Sequence, residues 1–237
     1  YQENIDGIRS GAFPSYTVFT AAGQKGFAQH AEYVESEGIG CPSKQKYDAY
    51  KRGGFPSYAV FLQATIAAAK RKYPGKKAPL CAALKAKDED AAEALLDGGA
   101  DPNEVDEEGC NALHRAAEKG CRPPLLQRVL ARIHDMNAGD NVGTTALMYA
   151  AYKNQLDGVM SLLNHPRIDV NVQNRNNWTS LHIAAANNDP AIVSQLLSDD
   201  NINANLKNHF NYTPLKLAIL REHPECVKIL QDYEAKK

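Results

Sequence analysis

The sequence predicts an all-α solenoid built from stacked helix–turn–helix units, and three observations predict it. A leucine recurs every 34 residues, at Leu113, Leu147, Leu181 and Leu215. An asparagine recurs with the same period, at Asn103, Asn137, Asn171 and Asn205. Two small or apolar residues, Ala-Ala or Ala-Ile, follow each leucine after two intervening positions. Since a single unit of this size cannot bury both of its helices, the units must stack on one another.

Each unit is expected to begin with a short first helix. Thr, Ser, Asn or Pro stands just before the leucine, and these residues start helices by side-chain capping or by a pre-set φ. The small alanine pair lets neighbouring helices approach closely. The four clearest copies span Cys110–Ala117, Thr144–Ala151, Trp178–Ala185 and Tyr212–Ile219. A fifth copy lies upstream, where Leu80 comes 33 residues before Leu113.

A turn and a second apolar helix follow each first helix. The second helices are predicted over Ala91–Leu96, Leu125–Leu130, Val159–Leu163, Ile192–Leu197 and Cys226–Leu230. The turn between the helices holds Gly120, and then Asn154, Asn188 and Glu222 at the equivalent positions. Asn tolerates the left-handed backbone conformation. Glu does not favour it, so a relaxed turn is predicted at Glu222. The alternating stretch Ile168–Asn174 is typical of the hairpin that leads into the next unit.

These motifs resemble the ankyrin repeat, whose first helix carries Thr-Pro-Leu-His-x-Ala-Ala. The resemblance covers about Lys76 to Asp232 and implies a protein-binding function. The motif histidine is present at His114 and His182 but is replaced by Cys81, Met148 and Lys216. In the family that imidazole bonds to backbone and ties adjacent hairpins together, so its loss in three units implies local loosening. The predicted units lie near residues 76–108, 109–142, 143–176, 177–210 and 211–237.

Residues 1–75 follow a different, 14-residue rhythm, with segments that begin at Ala12, Gly26, Gly40 and Gly54. Each segment has an apolar residue or Cys second and an aromatic residue eighth, and three contain a Pro-Ser pair suited to helix initiation. This pattern predicts tandem short helices, of which Thr65–Tyr73 extends the last. It is assigned to no family. We expect the region to cap the array, and a separate interaction or linker module is the alternative.

Composition and charge exclude several function classes. The chain is 43% hydrophobic and 23% charged with a net charge of −1, so no overall field attracts nucleic acid or an anionic membrane. No apolar run approaches the roughly 20 residues that span a bilayer. The five cysteines include no CxxC pair, which argues against a disulfide framework and a thiolate metal site. We therefore expect buried thiols in a reducing compartment, the cytoplasm or nucleus.

No pattern of catalytic, cofactor or metal-binding residues is found. Gly98-Gly99 end a helix, since no Gly-Lys-Ser/Thr follows as in a phosphate loop. The acidic run Asp88–Asp90 precedes a helix and favours its dipole. The basic run Lys70–Tyr73 with Lys76-Lys77 is expected to be a solvated junction, with a nucleic-acid or nuclear-import role as the alternative. We expect no enzyme activity, cofactor, metal or small-molecule substrate.

The resemblance implies that a partner lies in a concave groove formed by hairpin tips and the exposed side of the first helices. Trp, Tyr and Arg are the residues most often found as binding hot spots, and they concentrate in the third to fifth units. Padding of the hairpin stack is the alternative role for these rings. The predicted partner-binding residues are Trp178, Tyr212, Tyr152, Phe210, Arg175, His209, Asn141, Lys153, Asn187 and Arg221.

Three functional hypotheses follow from these observations. The leading one is a monomeric module that captures a protein or peptide in the groove. The second is a targeting segment of a larger enzyme, or a pathogen effector delivered into a host cytosol, which the non-Met first residue Tyr1 keeps open. The third is an enzyme within residues 1–75, whose aromatic, alanine and lysine composition disfavours it.

Overall fold

The structure, a computed structural model, describes residues 58–74 and 78–236, with side chains from residue 63 onward. Helix α1 (Tyr58–Lys72) begins directly after Ser57 and continues through the predicted extension. The other expected short helices, in residues 1–57, lie outside the described residues. Clustering of backbone contacts divides the chain into residues 1–68 and 69–237. The boundary expected near residue 76 stays a prediction.

In residues 78–236, ten further helices form five consecutive pairs, which confirms the predicted all-α solenoid. No strand occurs in the part of the chain that the structure describes, apart from one isolated bridge between Gly139 and Thr145. The pairs are α2 (Pro79–Lys85) with α3 (Glu89–Asp97), α4 (Ala112–Lys119) with α5 (Pro123–Leu130), α6 (Ala146–Tyr152) with α7 (Leu156–Leu163), α8 (Ser180–Asn187) with α9 (Pro190–Leu196), and α10 (Pro214–Leu220) with α11 (Pro224–Glu234).

Side-chain caps explain where the first helices begin. Thr145, Thr179 and Thr213 each accept a hydrogen bond from the backbone N–H three residues later. Asn111 does the same for α4, and in α4 and α8 the motif histidine completes a reciprocal capping box. Each cap satisfies an N–H group that the first turn of a helix leaves without a partner.

The helices stack in two rows. The first helices α2, α4, α6, α8 and α10 pack consecutively, and the second helices α5, α7, α9 and α11 do likewise. The motif alanines of the three inner units are fully buried between neighbouring helices, at Ala116, Ala117, Ala150, Ala151, Ala184 and Ala185. Their small size permits the close approach that the sequence predicts.

The periodic asparagines bind each unit to the next. Asn103 Nδ2 donates to the Arg132 carbonyl at 3.1 Å, and its Oδ1 accepts from His134 N at 2.9 Å. Asn137 and Asn171 repeat both hydrogen bonds to the following loop at 2.8 Å. The 34-residue asparagine period is therefore a period of inter-unit contacts, because one amide satisfies a donor and an acceptor of its neighbour.

The turn between paired helices is left-handed in every unit. The φ angle is 62° at Gly120, 54° at Asn154 and 61° at Asn188. Glu222 and Lys87 both adopt a φ of 57°. The relaxed turn expected at Glu222 is therefore wrong, because the packing of α10 against α11 requires the same turn and holds Glu222 in it despite the steric cost.

Two of the three residues that replace the motif histidine are buried. Met148 is fully buried, and the buried Cys81 thiol donates to the Cys110 carbonyl of the next hairpin at 3.4 Å. The local loosening expected in these units stays a prediction. Lys216 in the last unit is exposed.

Replacing Lys87 by Gly is expected to stabilise the array. A left-handed non-glycine residue costs about 1–2 kcal/mol of folding free energy, which Gly would recover. The greater freedom of Gly in the unfolded chain offsets about 0.5–1 kcal/mol of that recovered energy. We expect urea denaturation followed by circular dichroism to show a net gain of about 0.5–1 kcal/mol.

The matched control is Lys228→Gly, at an exposed position within α11. Because glycine is unfavourable inside a helix, this variant is expected to lose about 1 kcal/mol. Equal losses in the two variants would show that Lys87 carries no backbone strain.

Candidate functional site

Four hairpin turns are held in one conformation by an acidic or amide side chain at the start of each. Asp106, Asp140, Asn174 and Asn208 stand 34 residues apart. The Oδ1 atom of each accepts hydrogen bonds from the backbone N–H groups two and four residues later, at 2.8–3.1 Å. The side chains between these two positions are therefore presented outward on a fixed turn.

Backbone hydrogen bonds also join successive turns. Asn141 N donates to the Glu108 carbonyl, Arg175 N to the Val142 carbonyl and His209 N to the Asn176 carbonyl, at 3.0–3.1 Å. Turns 106–110, 140–144, 174–178 and 208–212 therefore form a continuous ladder. We call this ladder, with the outward side chains of the adjoining first helices, the hairpin face.

Four predicted partner-binding residues use their polar atoms to connect units. Asn141 Nδ2 donates to the Glu107 carbonyl at 3.0 Å, and Asn187 Nδ2 donates to the Tyr152 carbonyl at 3.2 Å. Arg221 Nη1 donates to the Ala186 carbonyl at 3.0 Å, and His209 Nδ1 lies 3.0 Å from the Asn176 carbonyl oxygen. All four side chains stay exposed, so their remaining atoms are open to a partner.

The predicted aromatic residues fall into two clusters. In the first, Phe210 stacks on Tyr212 with ring centroids 6.1 Å apart and contacts His209 at 3.7 Å. In the second, Lys153 Nζ lies 4.8 Å from the Tyr152 ring. Phe210 and Tyr152 are 59% and 58% exposed. Each cluster therefore keeps one aromatic ring mostly in contact with water.

Trp178 and Arg175 lie on the turn between these clusters. The half-buried Trp178 ring packs against His182 with centroids 6.1 Å apart, and His182 Nε2 lies 3.1 Å from the Tyr212 carbonyl oxygen. Trp178 is thus connected to the Phe210 cluster through one histidine. Arg175 is exposed and forms no ion pair with any carboxylate in residues 63–74 or 78–236.

One set of first-helix residues escaped the sequence reasoning. These residues occupy the variable position of the first-helix motif, at Arg115, Tyr149, Ile183 and Leu217. Arg115 binds Asp106, and Tyr149 donates to Asp140 Oδ2 at 2.8 Å, so each reaches the turn that precedes its own helix. The same 34-residue period would have identified them. Polar residues stand where the turn starts with Asp, and apolar residues where it starts with Asn.

Arg115 is the centre of the most extensive charge network on this face. Its side chain is 2% exposed and its guanidinium lies 2.8 Å from Asp106, 2.6 Å from Glu108 and 2.9 Å from Glu118. Burial lowers the pKa of Arg115, but the hydrogen bonds to these carboxylates outweigh burial and raise it. Lys85 and Arg115 lower the pKa of Glu108 to about 2. Despite burial, the hydrogen bonds with Arg115 also lower the pKa of Glu118, so Arg115, Glu108 and Glu118 stay ionised at neutral pH.

Other chemistry finds no support in the described residues. They contain no group of three or more His, Cys, Asp or Glu side chains placed to hold a metal ion. Cys81, Cys110, Cys121 and Cys226 are free and buried, as predicted, whereas Cys41 lies outside the described residues. Burial raises the pKa of Cys81 to about 12 and that of Cys121 to about 11. These thiols are therefore unsuited to nucleophilic attack. Among the described helices, none has the length and apolar character required to cross a bilayer.

The stacked helix pairs and their ladder of turns define a helical-repeat solenoid. A family model described as "Ankyrin repeats (3 copies)" matches residues 80–174 and 160–237. The chain belongs to the ankyrin-repeat family. Ankyrin repeats are generally protein–protein interaction modules, and proteins built from them are typically non-enzymatic. A comparison with curated proteins found no match.

Removing the buried Arg115 side chain is expected to destabilise the array. Arg115→Ala leaves Asp106 and Glu118 partly buried without their cation, and such a loss costs about 3 kcal/mol. We expect this decrease in the free energy of unfolding from urea denaturation. Arg128→Ala, which breaks the more exposed pair with Asp97, is the control and should cost less than about 1 kcal/mol. A similar small loss at Arg115 would contradict the assignment of a buried network.

The motif histidines are expected to make stability depend on mildly acidic pH. Burial lowers the pKa of His114 and His182 below the ordinary value of 6.5. A depressed pKa means that protonation favours the unfolded chain, so stability is present above about pH 6.5 and is lost as pH falls through the folded-state value. Thermal unfolding from about pH 7 to about pH 5 should show this loss.

His182→Met provides the comparison, because Met148 fills the equivalent buried position in the preceding unit. Its unfolding temperature should fall less steeply over the same pH range. Parallel pH profiles for the two proteins would assign the pH dependence to other groups.

Proposed function

We propose that this array binds a protein or peptide on the hairpin face, with the contact centred on the third to fifth units. The observation that carries the proposal is the exposure of Phe210 and Tyr152, at 59% and 58%, beside Trp178 and Tyr212. Large aromatic side chains that remain in water gain free energy when a partner buries them. Trp, Tyr and Arg dominate the binding energy of protein interfaces.

The contacts and exposure of the aromatic rings argue against the alternative that they serve only to pack the hairpin stack. Trp178 and Tyr212 are half-buried and contact His182 and Phe210, so part of each ring does serve the stack. Phe210 and Tyr152, however, expose more than half of their surface. This exposed area supports the proposal, because a bound partner would bury it.

The hairpin face is also preorganised for binding. Its turns are held by the 106, 140, 174 and 208 side chains and joined by backbone hydrogen bonds. A rigid surface loses little conformational entropy when it binds, which favours affinity. We further propose that the protein acts as a monomer in a reducing compartment, the cytoplasm or nucleus, and its buried free thiols support that environment.

The double variant Trp178→Ala/Tyr212→Ala is expected to weaken binding. Peptides selected from a random display library on the immobilised full chain would serve as probes. Because truncation of a hot spot costs about 2 kcal/mol or more, we expect Kd to rise by about 30-fold or more. Fluorescence anisotropy gives Kd, and circular dichroism verifies that the variant is folded.

Two further variants keep this test decisive. Phe210→Ala/Tyr152→Ala removes exposed rings and should weaken binding without a large loss of stability. Met160→Ala removes a 41%-exposed side chain on α7, away from the hairpin turns, and should leave Kd unchanged. Unchanged binding by both aromatic double variants would refute the hairpin face as the binding site.

A further inference from the structure

The chemical character of the hairpin face changes in one direction along the array. The outermost turn position holds Glu107, then Asn141, Arg175 and His209. The next position holds Glu108, Val142, Asn176 and Phe210, and the last turn position holds Cys110, Thr144, Trp178 and Tyr212. The variable helix position follows the same direction, from Arg115 through Tyr149 to Ile183 and Leu217. The face is therefore acidic at one end and aromatic and cationic at the other.

At the acidic end, two exposed carboxylates form no ion pair with any described residue. Arg115 and Lys85 bind Glu108, and Arg115 also binds Asp106 and Glu118. Glu104 and Glu107 are exposed and form no ion pair among the described residues. These two carboxylates are thus available to cations of a ligand.

The other end has cations that lack carboxylate partners. Arg175 and Lys207 are exposed and pair with no acidic side chain in the described ranges. Arg221 uses one N–H for the Ala186 carbonyl and keeps its other donors. The last two turns, 174–178 and 208–212, and the two residues before each of them include no Asp or Glu. The last two turns thus contribute Arg175 and no carboxylate to the surroundings of the aromatic rings.

We propose that the ligand of the hairpin face is an extended peptide segment with opposite charges at its two ends. Its basic end, Lys or Arg, pairs with Glu104 and Glu107. Its other end carries Asp or Glu, which pairs with Arg175 and Lys207. An aromatic or aliphatic residue beside that carboxylate covers Trp178, Phe210 and Tyr212. This inference rests on the proposed function and specifies the chemistry of the partner. Charge complementarity of this kind fixes the direction in which a ligand lies and excludes wrongly charged ligands.

The spacing of the units sets the length of the segment. Neighbouring helices pack about 8–10 Å apart, and the ladder of backbone hydrogen bonds gives the turns the same step. Glu107 is two steps from Arg175 and three steps from His209, hence about 16–30 Å from the two positions. An extended chain advances about 3.3 Å per residue, so about five to nine residues separate the two charged ends of the ligand.

Selection of random 16-residue peptides on the full chain tests this inference without presupposing it. We expect the enriched peptides to carry Lys or Arg at one end and Asp or Glu with an aromatic or aliphatic residue at the other. The two ends should lie about five to nine residues apart. The Kd of an enriched peptide should also rise as salt increases, because exposed charges are screened.

Charge reversal then locates each end of the peptide. Glu104→Lys/Glu107→Lys should raise Kd about tenfold for an enriched peptide, and substituting Glu for the basic residues of the peptide should restore affinity. Arg175→Glu/Lys207→Glu should act in the same way on the acidic end. Asp232→Lys/Glu234→Lys is the control for Glu104→Lys/Glu107→Lys, since it makes the same charge change on α11 and should leave Kd unchanged.

Each result decides the matter. Enriched peptides that need Trp178 and Tyr212 but show no charge pattern, or that respond equally to the α11 control, overturn this inference and leave the proposed function standing. Peptides that ignore both the rings and the charges overturn both proposals. A selection that enriches no peptide overturns the inference, because an extended segment is then not the ligand.

Discussion

The structure depends on hydrogen bonds that cross from each unit to the next. A pair of short helices cannot satisfy the polar groups of its own connecting loops, and unpaired polar groups are costly to bury. Asn103, Asn137 and Asn171 meet this need by giving one donor and one acceptor to the following loop. The backbone bonds between hairpin turns do the same on the other side of the helices. The stack is thus held by hydrogen bonds between units as well as by the burial of leucine and alanine side chains.

The same arrangement separates the residues that hold the fold from those that vary. Asp106, Asp140, Asn174 and Asn208 hold the turns through backbone N–H groups, so the side chains displayed between them are free to differ. That freedom is visible in the change from Glu107 to His209 along one equivalent position. A surface that changes gradually on a constant framework suits a module whose specificity lies in its exposed side chains.

The sequence alone was sufficient for most of the fold, because period, caps and turn residues are local signals. It failed at Glu222, where tertiary packing imposes a left-handed turn that the residue itself disfavours. The outward positions of the hairpin face were also predictable from the repeat. The contacts of these side chains were not predictable, because they depend on where side chains of different units meet. Examples are the hydrogen bonds of Asn141 and Asn187 to neighbouring backbone and the burial of Arg115 among carboxylates.

The two kinds of turn have a consequence for which side chains the array can exchange. The turns at Asp106 and Asp140 are completed by Arg115 and Tyr149, whereas those at Asn174 and Asn208 are completed by neutral contacts alone. Replacing Arg115 or Tyr149 therefore leaves a turn carboxylate without that side-chain partner, whereas replacing Ile183 or Leu217 leaves no charged group unpaired. The half of the array with Asp turns is thus constrained in its charge, and the half with Asn turns is not.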